Sequence, residues 1–280
     1  MTRQLVLKQV FVLFYLLLWV SPVTAQENFI DQLNQAFNAK SGMPHISASR
    51  PDIDEKSAYQ LQKGYVDSRI KKDPIAGYKA GLTSQAGQKK FNVEQALSGV
   101  LFSSGHVTKL NEVSLKDAGK LMIETEIGFI LSSNITAPIT DPKSISQHVE
   151  SIVSVIELPD LAYQSPKAIK DVDLIAANLA SHQFILGEPK AQSDIGDINR
   201  INTKLSLNKE ILFEGKATDA LGGQWQALTW LVNHLLDLGY NLNAGDLLIT
   251  GSLGKMIPAQ EGSFEADFGE LGKIEFKISH

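Results

Sequence analysis

LMIETEIGFIL, residues 121–131, reads as a β-strand that sends successive side chains to opposite faces. Leu121, Ile123, Thr125, Ile127, Phe129 and Leu131 fall on one face, apolar but for Thr125. Met122, Glu124, Glu126, Gly128 and Ile130 fall on the other. Two carboxylates side by side in such a strand repel one another, and burial makes their ionisation harder unless a cation lies between them. Oxygen-only ligands suit a hard ion such as Mg²⁺, Mn²⁺ or Ca²⁺. The alternative is an edge strand with both glutamates in water.

Outward from this strand, helical spacing (Phe29, Ile30, Leu33, Phe37) covers residues 27–41, and 43–53 reads as a loop with Pro44 and Pro51. Asp52 and Asp54 introduce a second helix to about Lys71. IAGYKAGL (75–82) reads as a short strand, Thr83 and Ser84 as caps for a segment through Phe91, and Gly99 to Phe102 as a brief strand. Beyond the glutamate strand, Thr140-Asp141-Pro142 predicts a helix to about Ser151, and VSVIEL (153–158) a buried strand. Residues 171–181 read as helix, 182–187 as strand, and 204–213 as two strand halves joined at Asn208-Lys209. Leu228, Leu231, Val232, Leu235 and Leu238 make an apolar stripe on a helix from about Gln224 to Leu238, ended by Gly239. Strands at 246–250, 263–268 and 272–278 complete the chain. Helices at the front and short strands behind, without regular βαβ alternation, predict an α+β fold.

The composition is that of an ordinary globular chain, 43% hydrophobic and 20% charged. Residues 1–25 stand apart: Arg3 and Lys8 precede an apolar run from Val10 to Val20, and Val23-Thr24-Ala25 offers small residues for cleavage before Gln26. We read them as a signal peptide, the run being short for a membrane span. This predicts an exported protein, periplasmic or secreted, with no stable span once the leader is gone. Its loss removes two positive charges and no acid, taking the formal net charge from −5 to −7. An acidic chain without large Lys/Arg clusters excludes nucleic acid as an expected partner. The absence of cysteine excludes thiolate metal sites and cysteine nucleophiles, and leaves the core to carry stability. No Gly-x-Gly-x-x-Gly or Walker-type loop points to a nucleotide.

Glu157 is the third acid of interest, at the end of an apolar strand about 30 residues beyond the first pair. It reads either as a further carboxylate of the metal site or as a strand-end charge in solvent. Lys79, between Tyr78 and Ala80, reads either as a snorkelling surface lysine or as an ammonium aimed at an anionic substrate. Thr250-Gly251-Ser252-Leu253-Gly254 follows a strand and offers backbone N–H groups to an oxyanion, or is a plain glycine turn. The six histidines (His45, His106, His148, His182, His234, His280) show no metal-ligand spacing and read as structural or exposed. Asn134-Ile135-Thr136 fits a glycosylation sequon, a triplet common by chance.

Together, GYKAGLTS (77–84), IETEIGF (123–129), VIEL (155–158), ANLASHQFILG (177–187), ALTWLVNHLLDLG (227–239) and AGDLLITGSLGKM (244–256) resemble the fumarylacetoacetate hydrolase superfamily. The resemblance is to its branch of 2-oxopent-4-enoate hydratases and 4-oxalocrotonate (2-oxo-3-hexenedioate) decarboxylases, from about residue 55 to the end. It implies a mixed β-sandwich or roll over 75–280 behind a helical region at 26–74. It also implies Mg²⁺ or Mn²⁺ on Glu124, Glu126 and Glu157, and Lys79 as the catalytic lysine. Asn178, Thr250, Gly251 and Ser252 become substrate contacts. The implied partner is a small 2-oxo acid chelating the metal, and relatives commonly form homo-oligomers.

The chain departs from the family pattern where Leu97 replaces an acid before Gly99. It departs again at Ala176-Ala177-Asn178-Leu179-Ala180 and at Leu221-Gly222-Gly223-Gln224-Trp225. These departures leave several outcomes open beside hydration: decarboxylation, C–C hydrolysis of an acylpyruvate, or a periplasmic module that binds metal and 2-oxo acid without reaction. The hydrolases use a His/Glu pair, and here His45 has Ala48 three residues on.

Overall fold

Met122–Leu131 forms strand β4 and lies inside its sheet, not at an edge. The computed structural model describes residues 22–108 and 110–280. The leader read in residues 1–25 lies outside that range apart from its last four residues, which open helix α1 (Pro22–Asn38). Among the described residues no helix is long and apolar enough to cross a membrane.

After α1 come α2 (Ile46–Ser49) and α3 (Glu55–Arg69). Asp54 caps α3, its carboxylate accepting from Ser57 N at 2.8 Å. Next are β1 (Ile75–Gly81), α4 (Gln85–Phe91), β2 (Leu97–Phe102) and β3 (Glu112–Ser114). β4 is followed by β5 (Val149–Leu158), α5 (Asp171–Ala176), β6 (Gln183–Leu186) and β7 (Lys190–Ala191). The chain ends with β8 (Asn202–Leu207), β9 (Glu210–Lys216), α6 (Gln224–Asp237), β10 (Leu247–Ile249), β11 (Ile257–Pro258), β12 (Gly262–Asp267) and β13 (Lys273–Ser279).

The larger sheet runs β2-β1-β10-β4-β5-β6, with β11 added to β4 and β7 to β5; the smaller runs β3-β13-β12-β8-β9. The larger sheet curls until its two edges meet: His106 bridges Phe184, and Val107 N donates to Phe184 O at 2.9 Å. One face of β4 (Ile123, Ile127, Phe129, Leu131) packs into the main core with α6 and the smaller sheet, including Leu228, Leu231, Phe264 and Phe276. The other face looks into the roll, where Leu101, Val153, Val155, Phe184, Leu247 and Ile249 form a small apolar plug. A second core unites Phe29 and Leu33 of α1 and Leu61 and Tyr65 of α3 with Val172 and Ile175 of α5. The front helices thus share their core with a later part of the chain. The result is a mixed two-sheet α+β fold of the roll type.

Three local expectations are corrected. The helix expected from residue 140 to 151 is a 3₁₀ turn, Ser144–His148, followed by β5 from Val149. Val149, Ile152 and Val153 are β-branched, and pairing with Leu131, Phe129 and Gly128 of β4 prevails over the Asp-Pro helix signal. The helix expected over 171–181 stops at Ala176, because Asn178, Leu179 and Ala180 all take left-handed φ values of 49–56°. The loop expected at 43–53 contains α2.

Candidate metal centre and active site

Strand pairing assembles the acidic cluster. β4 and β5 run antiparallel with Glu124 directly opposite Glu157, so the two side chains share a face. Glu126 lies two residues on, on the same face. One carboxylate oxygen from each of Glu124, Glu126 and Glu157 lies within 4.8 Å of the others. Glu126 and Glu157 are buried, and Glu124 is half-buried because it opens onto a cavity. The edge-strand alternative for Glu124 and Glu126 and the solvent-facing alternative for Glu157 are both excluded.

Lys79 reaches the same place from β1. Its ammonium donates to Glu157 Oε1 and, at 3.1 Å, to Leu179 O. The left-handed run explains why that carbonyl is available. Asn178 is turned toward β2, with its Oδ1 accepting from Val100 N at 2.7 Å and its Nδ2 donating to Val100 O at 2.8 Å. Gly99 permits this approach, since a Cβ there would stand 3.1 Å from Asn178 O. The Asn178 side chain is therefore occupied in holding the turn and does not line the cavity.

The segment after β10 supports Glu126. Gly251 N donates to Glu126 Oε2 at 2.8 Å. Gly251 has φ +101°, and a Cβ there would fall 2.3 Å from Thr83 Oγ1, so only glycine fits. Thr250 is fully buried, with Oγ1 2.6 Å from Gln224 Oε1 and 3.0 Å from Ile127 O. It fixes the turn and stays out of the cavity. Ser252 does line the cavity, beside Glu124, whose charged form its side-chain hydroxyl favours. Sequence reading missed Leu179 O, Thr83 and Gln224 as supporting groups; a backbone carbonyl on an irregular turn leaves no signature in residue type.

The cavity measures about 550 Å³. Lys79, Glu124 and Glu126 line it, together with Leu82, Thr83 and Phe91 from the β1–α4 region. Pro159, Leu161 and Ile169 follow from the segment after β5, and Met256 from the segment after β10. His45 is absent from this lining. Its Nδ1 lies 3.1 Å from Asp173 Oδ2, and its Nε2 accepts from Ser165 N at 3.2 Å, so the pair braces the wall from behind. Leu97, where the family pattern has an acid, is fully buried in the helical core.

Burial pushes the Glu124 carboxyl up to about 7; the neighbouring Glu157 adds to this and Lys79 opposes it. Burial likewise lifts Glu126 well above the ordinary carboxylate value, with Glu157 and Glu124 reinforcing it. Burial works against the Lys79 ammonium, but Glu157, Glu124 and Glu126 outweigh it and raise its pKa. One lysine cannot satisfy three carboxylates, and Glu157 Oε2 is buried with no hydrogen-bond partner. An all-oxygen donor set with an orphaned buried oxygen fits a hard divalent cation.

A pH dependence follows. Glu124 holds its proton to about 7 in the fold, against about 4.3 in an unfolded chain. Its contribution to metal-free stability is therefore complete below the ordinary carboxylate range and is lost as pH rises through 7. The melting temperature measured in EDTA is expected to fall between pH 5 and pH 8, while saturating Mg²⁺ flattens the decline. Metal affinity is expected to rise over the same window, because binding displaces the proton. A metal-free melting temperature that rises with pH in this window would count against the cluster.

Residues 80–279 match the family described as fumarylacetoacetate (FAA) hydrolase C-terminal. The chain is similar to a 2-keto-4-pentenoate hydratase of Paraburkholderia phymatum, 29% identical over 90% of this chain and 97% of that protein. A 2-keto-4-pentenoate hydratase of Burkholderia vietnamiensis is 30% identical over 80% of this chain and 86% of its own length. A 2-oxo-hept-4-ene-1,7-dioate hydratase of Escherichia coli is 26% identical over 88% of this chain and 95% of its own. In fold, the chain resembles the 4-oxalocrotonate decarboxylase of Pseudomonas putida G7 complexed with magnesium and adipate. The TM-score is 0.86 at 20% identity, covering 93% of this chain and 99% of that one.

Proposed function

The chain belongs to the fumarylacetoacetate hydrolase family, and on that premise we propose that it is a divalent-metal hydro-lyase adding water to a small unsaturated 2-oxo acid of the 2-hydroxypenta-2,4-dienoate kind. The observation that carries the reading is the meeting of Glu124, Glu126 and Glu157 within 4.8 Å, with Glu124, Glu126 and Lys79 lining one cavity and Glu157 buried beside them. The hydratase relatives, similar over most of their length, support the same chemistry.

Glu124, Glu126 and Glu157 would hold Mg²⁺ or Mn²⁺, which supplies Lewis-acid stabilisation of charge developing on the 2-oxo oxygen. Lys79, kept protonated by its acidic neighbours, aims N–H donors at the substrate carboxylate. Leu179 O accepts from the ammonium alongside Glu157, and the two acceptors together fix its direction. Gly251 N keeps Glu126 in one orientation. Ser252, at the cavity wall, favours the ionised Glu124 through its side-chain hydroxyl. The apolar walls formed by Leu82, Phe91 and Leu161 exclude bulk water from the diene.

A second reading, a binder without turnover, is favoured by one observation: Leu97 lies in the core where the family pattern has an acid. One experiment separates the two. The metal-loaded protein is expected to consume 2-hydroxypenta-2,4-dienoate, seen as loss of its ultraviolet absorbance, and to form 4-hydroxy-2-oxopentanoate. Mg²⁺-dependent thermal stabilisation by a 2-oxo acid without product would support the binder and overturn the lyase.

A further inference from the structure

Met256 lines the cavity, and the proposed chemistry makes no use of it. It precedes β11, whose Ile257 pairs with Ile123 of β4, one residue before Glu124. Ile257 packs its side chain against the main core. The side chain of Met256 therefore falls on the opposite face, the one that carries Glu124, and both residues line the cavity. The segment is tied to β4 on either side of Met256. Leu253 N donates to Thr125 O at 2.8 Å, and Ala259 N donates to Leu121 O at 2.9 Å.

Its sulfur is also the accessible one. Met256 is 39% exposed, Met122 only 6%, and Met43 is half-buried against the helical core. Among the described residues no other methionine is exposed. The chain has no cysteine to take an oxidant first. A thioether is a two-electron reductant toward peroxides, and its reactivity follows access. Phe91, Leu161 and Ile169 make the rest of the wall apolar, which suits the reduced side chain and disfavours an oxidised one.

We propose that Met256 is an oxidation site through which hydroperoxides reversibly weaken binding in this cavity. The sulfur lone pair attacks the outer oxygen of the hydroperoxide, the O–O bond breaks, and the hydroperoxide proton passes to the departing oxygen. Methionine is oxidised by two electrons to the sulfoxide, while the hydroperoxide is reduced to the alcohol, or H₂O₂ to water. A flexible apolar side chain becomes a polar one. The new oxygen only accepts hydrogen bonds, and Phe91, Leu161 and Ile169 offer it no side-chain donor. The consequence for substrate rests on the cavity being a 2-oxo acid site; the oxidation itself does not.

The test treats the full, Mg²⁺-loaded protein with a small excess of H₂O₂ and follows the gain of oxygen at each methionine by peptide mass spectrometry. Met256 is expected to oxidise at least about tenfold faster than Met43 and Met122. The Kd of 2-oxopentanoate, read by calorimetry, should rise about five- to tenfold once Met256 is oxidised. Methionine sulfoxide reductases of both stereospecificities should bring it back to within about twofold of the starting value. In Met256→Leu the same treatment should change that variant's own Kd by less than about twofold. Met256→Gln, polar at the same place, should bind about five- to tenfold more weakly than its parent without any peroxide. Oxidation of Met43 or Met122 as fast as Met256, a Kd unmoved by oxidation, a loss that the reductases do not reverse, or an equal loss in Met256→Leu would each overturn the proposal. If 2-oxopentanoate does not bind the untreated protein, the 2-oxo acid reading fails, while the order of oxidation still upholds or overturns Met256 as the site.

Discussion

Replacing Glu124 with Gln is expected to make the metal-free protein more stable at pH 8 and, in the same variant, to abolish stabilisation by Mg²⁺. The two effects have one cause. Glu124 in the fold resists ionisation up to about 7, so at pH 8 its charge is held at a cost of roughly 3–4 kcal/mol relative to the unfolded chain. A neutral amide of similar shape removes that cost. It also removes an anionic ligand, and metal affinity should drop by on the order of 100-fold or more, since even residues that only orient ligands cost 10–100-fold. Hydration should fall with it. Calorimetry in EDTA and in Mg²⁺ reads both signs. A variant less stable than its parent without metal, yet still stabilised by Mg²⁺, would show that the three carboxylates do not act as one site.

Lys79→Met is the second large effect, and its stability change has the opposite sign. The ammonium is buried between Glu157 and Leu179 O. Removing it leaves Glu157 buried beside two other acids, which costs about 3–5 kcal/mol in the metal-free protein. Mg²⁺ should restore much of that loss, because a cation again neutralises the cluster. Turnover should not return. The donors aimed at the substrate are gone, and kcat/KM is expected to fall by on the order of 10²–10³ even at saturating metal. Lys79→Arg should not rescue it, since a planar guanidinium has no room in a site fitted to a single ammonium. Full activity in either variant, with stability restored by Mg²⁺, would reduce Lys79 to a counter-ion.

The acidic half of the site was legible in the sequence because strands have a period of two. Glu124 and Glu126 share a face wherever β4 is a strand, and an apolar run ending near Glu157 supplies a second strand to set beside it. The stripe Leu228, Leu231, Val232 and Leu235 likewise marks α6 and its buried face. Pairing that depends on distant partners was not legible. β5 begins at Val149 because β4 is there to receive it. The left-handed run Asn178–Ala180 follows from hydrogen bonds to Val100, 78 residues earlier. Among the residues read as substrate contacts, Thr250 and Asn178 are polar and lie near the site, yet both spend their side chains on backbone or buried partners.

The in-register facing of Glu124 and Glu157 would make a bound ion an inspector of how the sheet was put together. Were β5 to slide by one position against β4, its side chains would swap sides and Glu157 would point into the oil between the two sheets. Such a misthreaded chain offers a cation two carboxylates in place of three. A cation held by all three would therefore favour the correctly paired strands over their nearest wrong neighbour, and the group that would equip the protein for chemistry would also favour its having folded true.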